Sequence, residues 1–438
     1  MVPIGPLFTD LYELTMAAAY FDHGIDSKAT FSLFIRDSLK RNFFVAAGLE
    51  DVLNELEALH FSADDIQYLK ATGLFPDDFI AYLKKLHFSG DIYAMAEGTI
   101  FFPNEPILEV TAPVIEAQIL ETFLLNTIGF QTMIATKAAR CIHAAAGRPL
   151  IDFSLRRTQG QDAGLKVARS TYIAGFTATS NMLAGKIYGI PISGTMAHSF
   201  ISVFDSEKDA FSAYADTFPE NCVFLIDTYD TLEGACHAVK VAKEMKKRGT
   251  ALKGIRLDSG DMADLSQKVR KIFDDAGFAD VKIFASSGFD EFKIFDSIAE
   301  GGKIDAFGVG TKVGVSADAP YLDVVYKLVR FKDRDIRKLS PGKITLSGEK
   351  QVFRKTAKDG HFREDIIGMR DERIEGRDHL LKKVMANGKS LLPLVSLQDI
   401  QGRFKKNFAS LDEKYKSIRD PDPYPVELSR RLAALQNK

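Results

Sequence analysis

Cysteine is scarce in this chain, which has three cysteines in 438 residues. They are Cys141, Cys222 and Cys236, and their spacing matches no metal-ligand pattern. An odd number of cysteines cannot form an even disulfide framework, and chains without such a framework are typical of reducing compartments. We therefore expect no disulfide-stapled fold, and we expect the protein in the cytoplasm.

An excess of charge is also absent, because 57 Lys and Arg residues face 59 Asp and Glu residues, for a net charge of −2. No overall positive field attracts nucleic acid, so any site for a polyanion must be local. No apolar run reaches the length of about 18 residues that a membrane-spanning helix needs. The opening segment MVPIGPLFTDLYELTM carries Asp10 and Glu13 where a secretion signal would be apolar. We expect neither a nucleic-acid partner nor a membrane partner.

What the chain does contain is a repeated alternation between Pro149 and Thr311 of short apolar runs with longer helical segments. Several helical segments open with an acid or Thr and close with Gly, as helix caps favour. This pattern predicts parallel β/α units. One predicted helix is DAGLKVARSTYIAGFTATSNMLAG (162–185). The predicted strands are PLIDF (149–153), IPIS (190–193), CVFLID (222–227), GIRLD (254–258), VKIFAS (281–286) and IDAFGV (304–309).

The limits of this alternation predict the domain organisation. Residues 1–130 mix helices with strand-like runs such as KATFSLFIR (28–36), which predicts an N-terminal α/β domain. Residues 131–340 form the predicted β/α barrel-like catalytic domain. Residues 341–438 combine hairpin strands with a basic, partly helical tail, and we expect this region to complete the N-terminal domain in part.

Polar residues and glycines stand at the ends of the predicted strands. In β/α barrels and open α/β sheets, sites are built at the carboxyl ends of the strands. We therefore predict that these residues share one catalytic site at this end of the barrel. The alternative is that they lie in ordinary solvent-exposed loops. The residues in question are Arg156, Arg157, His198, Asp227, Arg256, Asp258, Ser286, Ser287, Gly308 and Gly310.

The residue types at these strand ends favour phosphate chemistry. The glycine-rich turn FGVGTKVG (307–314) lets main-chain N–H groups approach an anion, unless it is only a tight connection. Asp227 lies in an apolar strand, where an unpaired charge is costly, so His198 is a candidate partner. A histidine held by a carboxylate at one nitrogen has the other free as a base or nucleophile. Asp261 is interpreted more simply as a helix N-cap.

Taken together, these segments resemble the nicotinate phosphoribosyltransferase family, and the similar segments run in order over nearly the whole chain. They include TDLYELTM (9–16), FFPNEPILEVTAP (101–113), AQILETFLLNTIGFQTMIATKAAR (117–140), DFSLRRTQG (152–160), ATSNMLAGKIYGIPIS (178–193), GTMAHSF (194–200), LIDTYDT (225–231), IRLDSGD (255–261), ASSGFDE (285–291) and AFGVGTK (306–312).

The resemblance implies an irregular, incomplete β/α barrel of the type II phosphoribosyltransferase kind, with a flanking composite α/β domain and a C-terminal extension. It implies that nicotinate attacks C1 of phosphoribosyl pyrophosphate, giving nicotinate mononucleotide and pyrophosphate for NAD biosynthesis, with coupled ATP hydrolysis. It also implies a homodimer with shared active sites.

Residue roles follow from the same resemblance. His198 matches the histidine that accepts phosphate from ATP, Asp227 the carboxylate that orients its ring, and Asp258 an acid near the ribosyl carbon. Ser180 stands where relatives that use the amide have Asp, which favours nicotinate over nicotinamide. The other implied base-site residues are Asp10, Tyr12 of the neighbouring subunit, Phe153, Arg156 and Arg256. The implied phosphate and ribose residues are Arg36, Arg140 (with a structural role as the alternative), Ser286, Ser287, Gly308, Gly310 and Thr311.

The chain departs from the family pattern at Ser154 and Thr158, where Gly and Ala are usual, which leaves the geometry around Arg156 open. Cysteine pairs that hold zinc in some relatives are missing, so we expect no structural zinc. Mg²⁺ is expected with phosphoribosyl pyrophosphate and ATP. The competing interpretations are an enzyme that prefers nicotinamide, a lyase or aldolase with Lys312 as Schiff base, and a catalytically inactive barrel.

Overall fold

The computed structural model describes residues 5–36, 41–337, 345–393 and 395–437. The chain forms two compact units: Met1–Thr136 with Ala319–Lys438, called unit 1, and Lys137–Asp318, called unit 2. Unit 1 is thus built from two separate stretches of chain, and unit 2 from the stretch between them. Within the described ranges, no helix has both the length and the apolar character needed to cross a bilayer.

The elements are numbered in chain order. The strands are β1 (Lys28–Ile35), β2 (Phe44–Val45), β3 (Asp91–Ala94), β4 (Ile100–Phe101), β5 (Pro106–Pro113), β6 (Leu150–Asp152), β7 (Ala178–Thr179), β8 (Val223–Leu225), β9 (Gly254–Leu257), β10 (Lys282–Ala285), β11 (Ala306–Val309), β12 (Val324–Phe331), β13 (Arg334–Asp335), β14 (Lys350–Thr356), β15 (Phe362–Met369), β16 (Asp378–His379), β17 (Lys382–Ala386), β18 (Lys389–Ser390) and β19 (Val426–Leu428). The helices are α1 (Leu11–Asp22), α2 (Leu49–Glu57), α3 (Ala63–Thr72), α4 (Asp77–Leu83), α5 (Val114–Gln118), α6 (Glu121–Ala144), α7 (Gln161–Ile173), α8 (Met182–Tyr188), α9 (His198–Ser202), α10 (Glu207–Thr217), α11 (Thr231–Lys247), α12 (Met262–Asp275), α13 (Glu291–Ala299), α14 (Thr311–Gly314), α15 (Leu397–Ser410), α16 (Glu413–Lys416) and α17 (Arg430–Gln436), with a 3-10 turn at Leu155–Arg157.

The main sheet of unit 1 has seven strands in the order β13-β12-β1-β5-β3-β17-β18, all paired antiparallel. Strand β1 pairs with β5 on one side and with β12 on the other, where Ile35 lies opposite Val324. The rings of Phe31 and Tyr326 stack across the β1–β12 pair at 4.7 Å. Strands from both ends of the chain therefore share one sheet and one apolar core.

Unit 1 contains two further sheets. Strands β16, β14, β15 and β19 form a four-stranded sheet in that order, and β2 pairs with β4. The hairpin of β14 and β15 falls in the region where hairpin strands are predicted, and part of that prediction, residues 338–344, lies outside the described residues. Helices α15 and α17 give the C-terminal region its predicted partly helical character.

The sheet of unit 2 has six strands, all paired parallel, in the order β7-β6-β11-β10-β9-β8. Consecutive strands are neighbours from β8 to β11, and β11 returns to pair with β6. A closed six-stranded ring would need one more pair, β7 with β8, which this sheet order lacks. The sheet is therefore a barrel that is open on one side, and the predicted incomplete β/α barrel is confirmed.

Five strands of this sheet fall within predicted apolar runs, whereas one strand and one helix differ from the prediction. The run IPIS contributes only a single bridge, from Ile192 to Thr179. The predicted helix 162–185 is divided into α7 and α8, with β7 between them. Gly175, with φ of 104°, takes a left-handed conformation just after α7, which a continuing helix cannot accommodate.

Candidate active site

A cavity of about 640 Å³ lies in unit 2, beside the open edge of the barrel. Its lining combines residues along strands β6 and β8 to β11 with the segment 192–195 and with residues that precede β8 and β9. The carboxyl ends of parallel strands meet at one side of the sheet, which brings the predicted residues at those ends together. Five of the residues predicted for the site line this cavity: Phe153, Ser180, Arg256, Ser286 and Gly308.

His198 begins helix α9, and its side chain is 43% exposed. Its Nδ1 lies 3.1 Å from Oγ1 of Thr228, and its Nε2 lies 3.7 Å from Oδ2 of Asp258. The predicted hydrogen bond from the ring to Asp227 is therefore replaced by one to the neighbouring Thr228. The ring remains reachable from solvent, with an acid on its Nε2 side.

Asp227 is buried at the end of β8 and turns toward the next strand. Its Oδ2 accepts hydrogen bonds from the backbone N–H of Asp258 at 2.9 Å and from Oγ of Ser259 at 2.6 Å. These two donors satisfy one carboxylate oxygen of Asp227. Its buried Oδ1 has no hydrogen-bond partner among the described residues.

Arg256 and Asp258 lie on the same edge of the barrel. Nη1 of Arg256 donates to Oγ1 of Thr195 at 2.6 Å and to the carbonyl of Met196 at 3.0 Å, on the segment that leads to His198. Burial lowers the pKa of the Arg256 guanidinium, and the carboxylates of Asp258 and Asp227 oppose that effect. Asp258 accepts a hydrogen bond from Oγ of Ser286.

Phe153 follows β6 and packs against two glycines. A Cβ on Gly308 would lie 2.5 Å from two carbons of the Phe153 ring. A Cβ on Gly310 would lie 3.1 Å from the Phe153 carbonyl oxygen. Both glycines therefore make room for Phe153, and their predicted phosphate contact stays a prediction.

Three further residues are predicted at the carboxyl ends of the strands: Arg156, Ser287 and Thr311. Arg156 is exposed on the 3-10 turn, and Thr311 begins α14 directly after Gly310. Ser287 has φ of 83°, a left-handed conformation that is strained for serine, and its carbonyl accepts a hydrogen bond from Nζ of Lys293 at 2.9 Å. Sequence reasoning missed Lys293, and it missed Thr195 and Thr228 because both contact partners that are distant in sequence.

Lys312 pairs with Asp290, and the Nζ to Oδ2 distance is 2.9 Å. This ion pair engages the Lys312 side chain, and Lys312 is not among the residues that line the cavity of unit 2. The geometry therefore gives no support to the aldolase interpretation. Asp261 accepts hydrogen bonds from the N–H groups of Ala263 and Asp264, which confirms it as the N-cap of α12.

The surroundings of Arg140 favour the structural alternative, and its phosphate contact stays a prediction. Its side chain is 6% exposed, and its Nε donates to Oε1 of Glu291 at 2.8 Å. Glu291 is fully buried and also pairs with Lys137. A buried guanidinium committed to a buried carboxylate serves packing of α6 against α13, which is the structural alternative.

Three predicted residues belong to unit 1. Tyr12 is 47% exposed on α1, and burial together with the nearby Glu121 raises its pKa. Asp10 accepts a hydrogen bond from Oγ1 of Thr122 at 2.6 Å. Arg36 pairs with Asp323 at 3.1 Å at the end of β1. Asp10 and Tyr12 line a cavity of about 400 Å³ within unit 1.

Within the ranges that the structure describes, no group of three or more His, Cys, Asp or Glu residues is arranged to hold a metal ion. The three cysteines are free, two of them buried and Cys236 exposed.

Comparison with known proteins places the chain in one family. The nicotinate phosphoribosyltransferase N-terminal domain matches residues 7–129, the nicotinate phosphoribosyltransferase family 149–340, and the C-terminal domain of the same enzyme 377–436. The chain is 45% identical to nicotinate phosphoribosyltransferase pncB2 of Mycobacterium tuberculosis, over 98% of the chain and 92% of that protein. It is 42% identical to nicotinate phosphoribosyltransferase of Bacillus subtilis, over 97% of the chain and 92% of the relative.

A solved structure agrees with these matches. The crystal structure of human nicotinic acid phosphoribosyltransferase superposes with a TM-score of 0.88 at 29% identity, covering 98% of this chain and 99% of the human one. Sequence and fold thus agree over nearly the full length of the chain. The chain belongs to the nicotinate phosphoribosyltransferase family.

Proposed function

We propose that the protein transfers the phosphoribosyl group of phosphoribosyl pyrophosphate to nicotinate, giving nicotinate mononucleotide and pyrophosphate. The names of its relatives and its family membership support this activity. The observation that carries the proposal is that Phe153, Ser180 and Arg256 line the same cavity of unit 2 as Ser286 and Gly308. This cavity brings residues proposed for the base together with residues proposed for the sugar phosphate.

The base is held by a flat aromatic surface and a cation. Phe153 offers its ring for stacking, since pyridine and phenyl rings favour offset stacking. The buried charge of Arg256 attracts the carboxylate of nicotinate. Ser180 is neutral, so no negative charge at this position repels the carboxylate of nicotinate.

The reaction forms the N–C1 bond while the C1–O bond to pyrophosphate breaks, and the leaving oxygen keeps the electron pair. Positive charge develops on the ribosyl carbon, and a nearby carboxylate stabilises such charge. Asp258 is proposed for this role, held in place by Ser286. Ser286, Ser287, Gly310 and Thr311 are proposed to hold the phosphate and ribose groups, with Arg36 reaching the pyrophosphate.

We also propose that ATP hydrolysis is coupled to transfer through His198. A ring nitrogen attacks the γ-phosphorus and ADP leaves, and water later removes the phosphoryl group as inorganic phosphate. The exposed ring, fixed at Nδ1 by Thr228, supports this assignment. States with and without the phosphoryl group can then differ in substrate affinity.

Mg²⁺ is proposed to arrive with ATP and phosphoribosyl pyrophosphate. The buried Oδ1 of Asp227 has no hydrogen-bond partner in the described chain and is an oxygen donor of the kind Mg²⁺ prefers. Asp227 and Asp258 would hold the ion against the phosphates, where its charge would offset theirs.

Product formation tests the activity. The full-length protein is incubated with labelled nicotinate or nicotinamide, with and without phosphoribosyl pyrophosphate. We expect nicotinate mononucleotide only when both nicotinate and phosphoribosyl pyrophosphate are present, and a higher kcat/KM for nicotinate than for the amide. A preference for nicotinamide would contradict the proposal.

Phosphorylation of His198 is tested with γ-labelled ATP. We expect an acid-labile, alkali-stable label on the wild type and none on His198→Ala, which keeps part of the ATP-independent transfer because the base and sugar sites remain. Equal labelling of both proteins would show that the phosphorylated residue lies elsewhere.

The protein is further proposed to act as a homodimer in which Tyr12 completes the site of the partner subunit. Leu11 and Tyr12 are 56% and 47% exposed on α1, an apolar surface that a second copy would cover.

Mixing inactive variants tests the shared site. Subunits of Tyr12→Ala and Phe153→Ala are mixed and allowed to form heterodimers, either by refolding or by subunit exchange. The mixture should recover about a quarter of wild-type activity, because half of the dimers then hold one intact site. Phe153→Ala mixed with Arg256→Ala is the matched control and should recover nothing, since both residues belong to unit 2. Equal recovery in the two mixtures would contradict sharing through Tyr12.

A further inference from the structure

A buried carboxylate lies directly behind the proposed base site. Asp152 is the last residue of β6 and is 1% exposed. Its neighbours Ile151 and Phe153 both line the cavity of unit 2. Because side chains alternate between the faces of a strand, the Asp152 carboxylate lies on the opposite face of the sheet from that cavity.

The hydrogen bonds of Asp152 fit the ionised form. Oδ1 accepts from the N–H of Ser154 at 2.9 Å, and Oδ2 accepts from the hydroxyl of Thr179 at 2.7 Å. The Thr179 oxygen itself accepts from the N–H of Asn181 at 3.0 Å, which leaves its one hydrogen available for Asp152. Both carboxylate oxygens therefore act as acceptors.

No cation balances this charge. Among the described residues, Asp152 forms no ion pair, and burial raises its pKa against the effect of its hydrogen bonds. A buried charge without a counter-ion is costly, and such groups concentrate at functional sites. Asp152 also fixes its surroundings, since its carbonyl accepts from the N–H of Ser180 at 2.9 Å.

A positive charge does appear nearby during the proposed reaction. When the ring nitrogen of nicotinate bonds to C1 of the ribose, the neutral pyridine becomes a quaternary pyridinium, and the electron pair of the breaking C1–O bond leaves with pyrophosphate. The new charge spreads over the ring that is proposed to stack on Phe153.

We propose that the Asp152 carboxylate stabilises the pyridinium charge of the transition state and product from behind Phe153, without touching the substrate. This inference rests on the proposed function. Two opposite charges about 10 Å apart at an effective dielectric constant of about 20 interact strongly enough to change an equilibrium about tenfold. Free nicotinate lacks this attraction because its ring is neutral, and its carboxylate is repelled by Asp152, so the Asp152 charge favours the mononucleotide over nicotinate.

The test compares two probes, nicotinate and nicotinate mononucleotide, by calorimetry on the full-length protein. Asp152→Asn keeps the shape and removes the charge, and we expect it to lower the ratio of mononucleotide affinity to nicotinate affinity about tenfold. We expect kcat to fall with this ratio. Asp152→Glu, which keeps the charge, should retain the preference for the mononucleotide.

Thr179→Val is the matched control, because it removes one hydrogen bond to Asp152 and leaves the charge. We expect it to change the affinities for both probes by the same factor. Equal weakening of both probes by Asp152→Asn would reduce Asp152 to a packing role and overturn the proposal.

Circular dichroism checks that each variant is folded. Should Asp152→Asn not fold, Asp152→Ser, which also removes the charge, decides: a lower ratio of mononucleotide affinity to nicotinate affinity supports the proposal, and an equal change for both probes overturns it. If the wild type binds neither probe, the proposed function fails and this inference falls with it.

Discussion

Ser180 shows how one side chain can set the choice of base. It lines the cavity, and its backbone is held by Asp152 at the end of β6. The hydroxyl adds no charge to a wall that also carries Arg256. Position 180 therefore accepts an anionic substrate. A charged side chain at this position should alter substrate specificity more than it alters folding.

Ser180→Asp should lower kcat/KM for nicotinate about a hundredfold, because like charges brought together cost several kcal/mol. Ser180→Ala, which adds no charge, should stay within about threefold of the wild type. Steady-state kinetics with saturating phosphoribosyl pyrophosphate measures both variants. Equal losses in the two variants would mean that Ser180 contributes a hydrogen bond and no electrostatic selection.

The identities of the site residues could be predicted from sequence, but their contacts could not. Phe153, Ser180 and Arg256 lie in one cavity, as their strand-end positions indicate. The partner of the His198 ring could not be predicted, because Asp227 and Thr228 are adjacent in sequence and only the path of the loop decides between them. Arg140 was equally ambiguous, since a motif does not reveal whether an arginine is buried.

At the scale of elements, α6 and α13 are joined by a buried charge cluster. Glu291, the first residue of α13, is shared by Lys137 and Arg140, and Lys137 also pairs with Asp318 at 2.7 Å. Removal of one member of such a cluster leaves the others buried without compensation.

Lys137→Met should lower the free energy of unfolding by about 3–5 kcal/mol, the usual cost of breaking a buried ion pair. Lys268→Ala is the matched control, because its pair with Asp264 on α12 is about half exposed, and it should cost less than about 1 kcal/mol. Urea unfolding monitored by circular dichroism compares the two. Similar small losses would mean that Glu291 finds other partners when Lys137 is absent.

Apolar periodicity predicts an element well when the element is long or buried on both faces. The strands from β8 to β11 fall within predicted runs for this reason. Strand β7 has two residues and follows Gly175, so its signal is weaker than that of the helices on either side. Short edge strands are defined by their partners, which local sequence does not contain.

At the scale of the whole molecule, unit 1 depends on contacts between distant parts of the chain. Glu105 is fully buried, and burial together with Asp365 raises its pKa well above the usual range. A folded-state pKa above the unfolded value gives stability that is present below about pH 4.3 and is lost as the pH rises.

Glu105→Gln should therefore remove a pH-dependent penalty. Between pH 5 and pH 8, the wild type should lose more unfolding free energy than this variant, because only the wild type must bury an ionised Glu105 or bind a proton. Glu364→Gln serves as the control with no slope in this window, since Arg377 lowers the pKa of Glu364. If the unfolding free energies of the wild type and Glu105→Gln changed with pH in the same way, Glu105 would have the same pKa in the folded and unfolded states.

The composite sheet of unit 1 has a consequence for synthesis of the protein. Strands β1 and β5 emerge from the ribosome early, but β12 begins only at Val324, after residues 114–323 have been made. At roughly 5–20 residues per second, one edge of β1 waits about 10–40 s for its partner. During that interval the nascent chain presents an open apolar strand, and we expect holdase chaperones to bind there before translation ends.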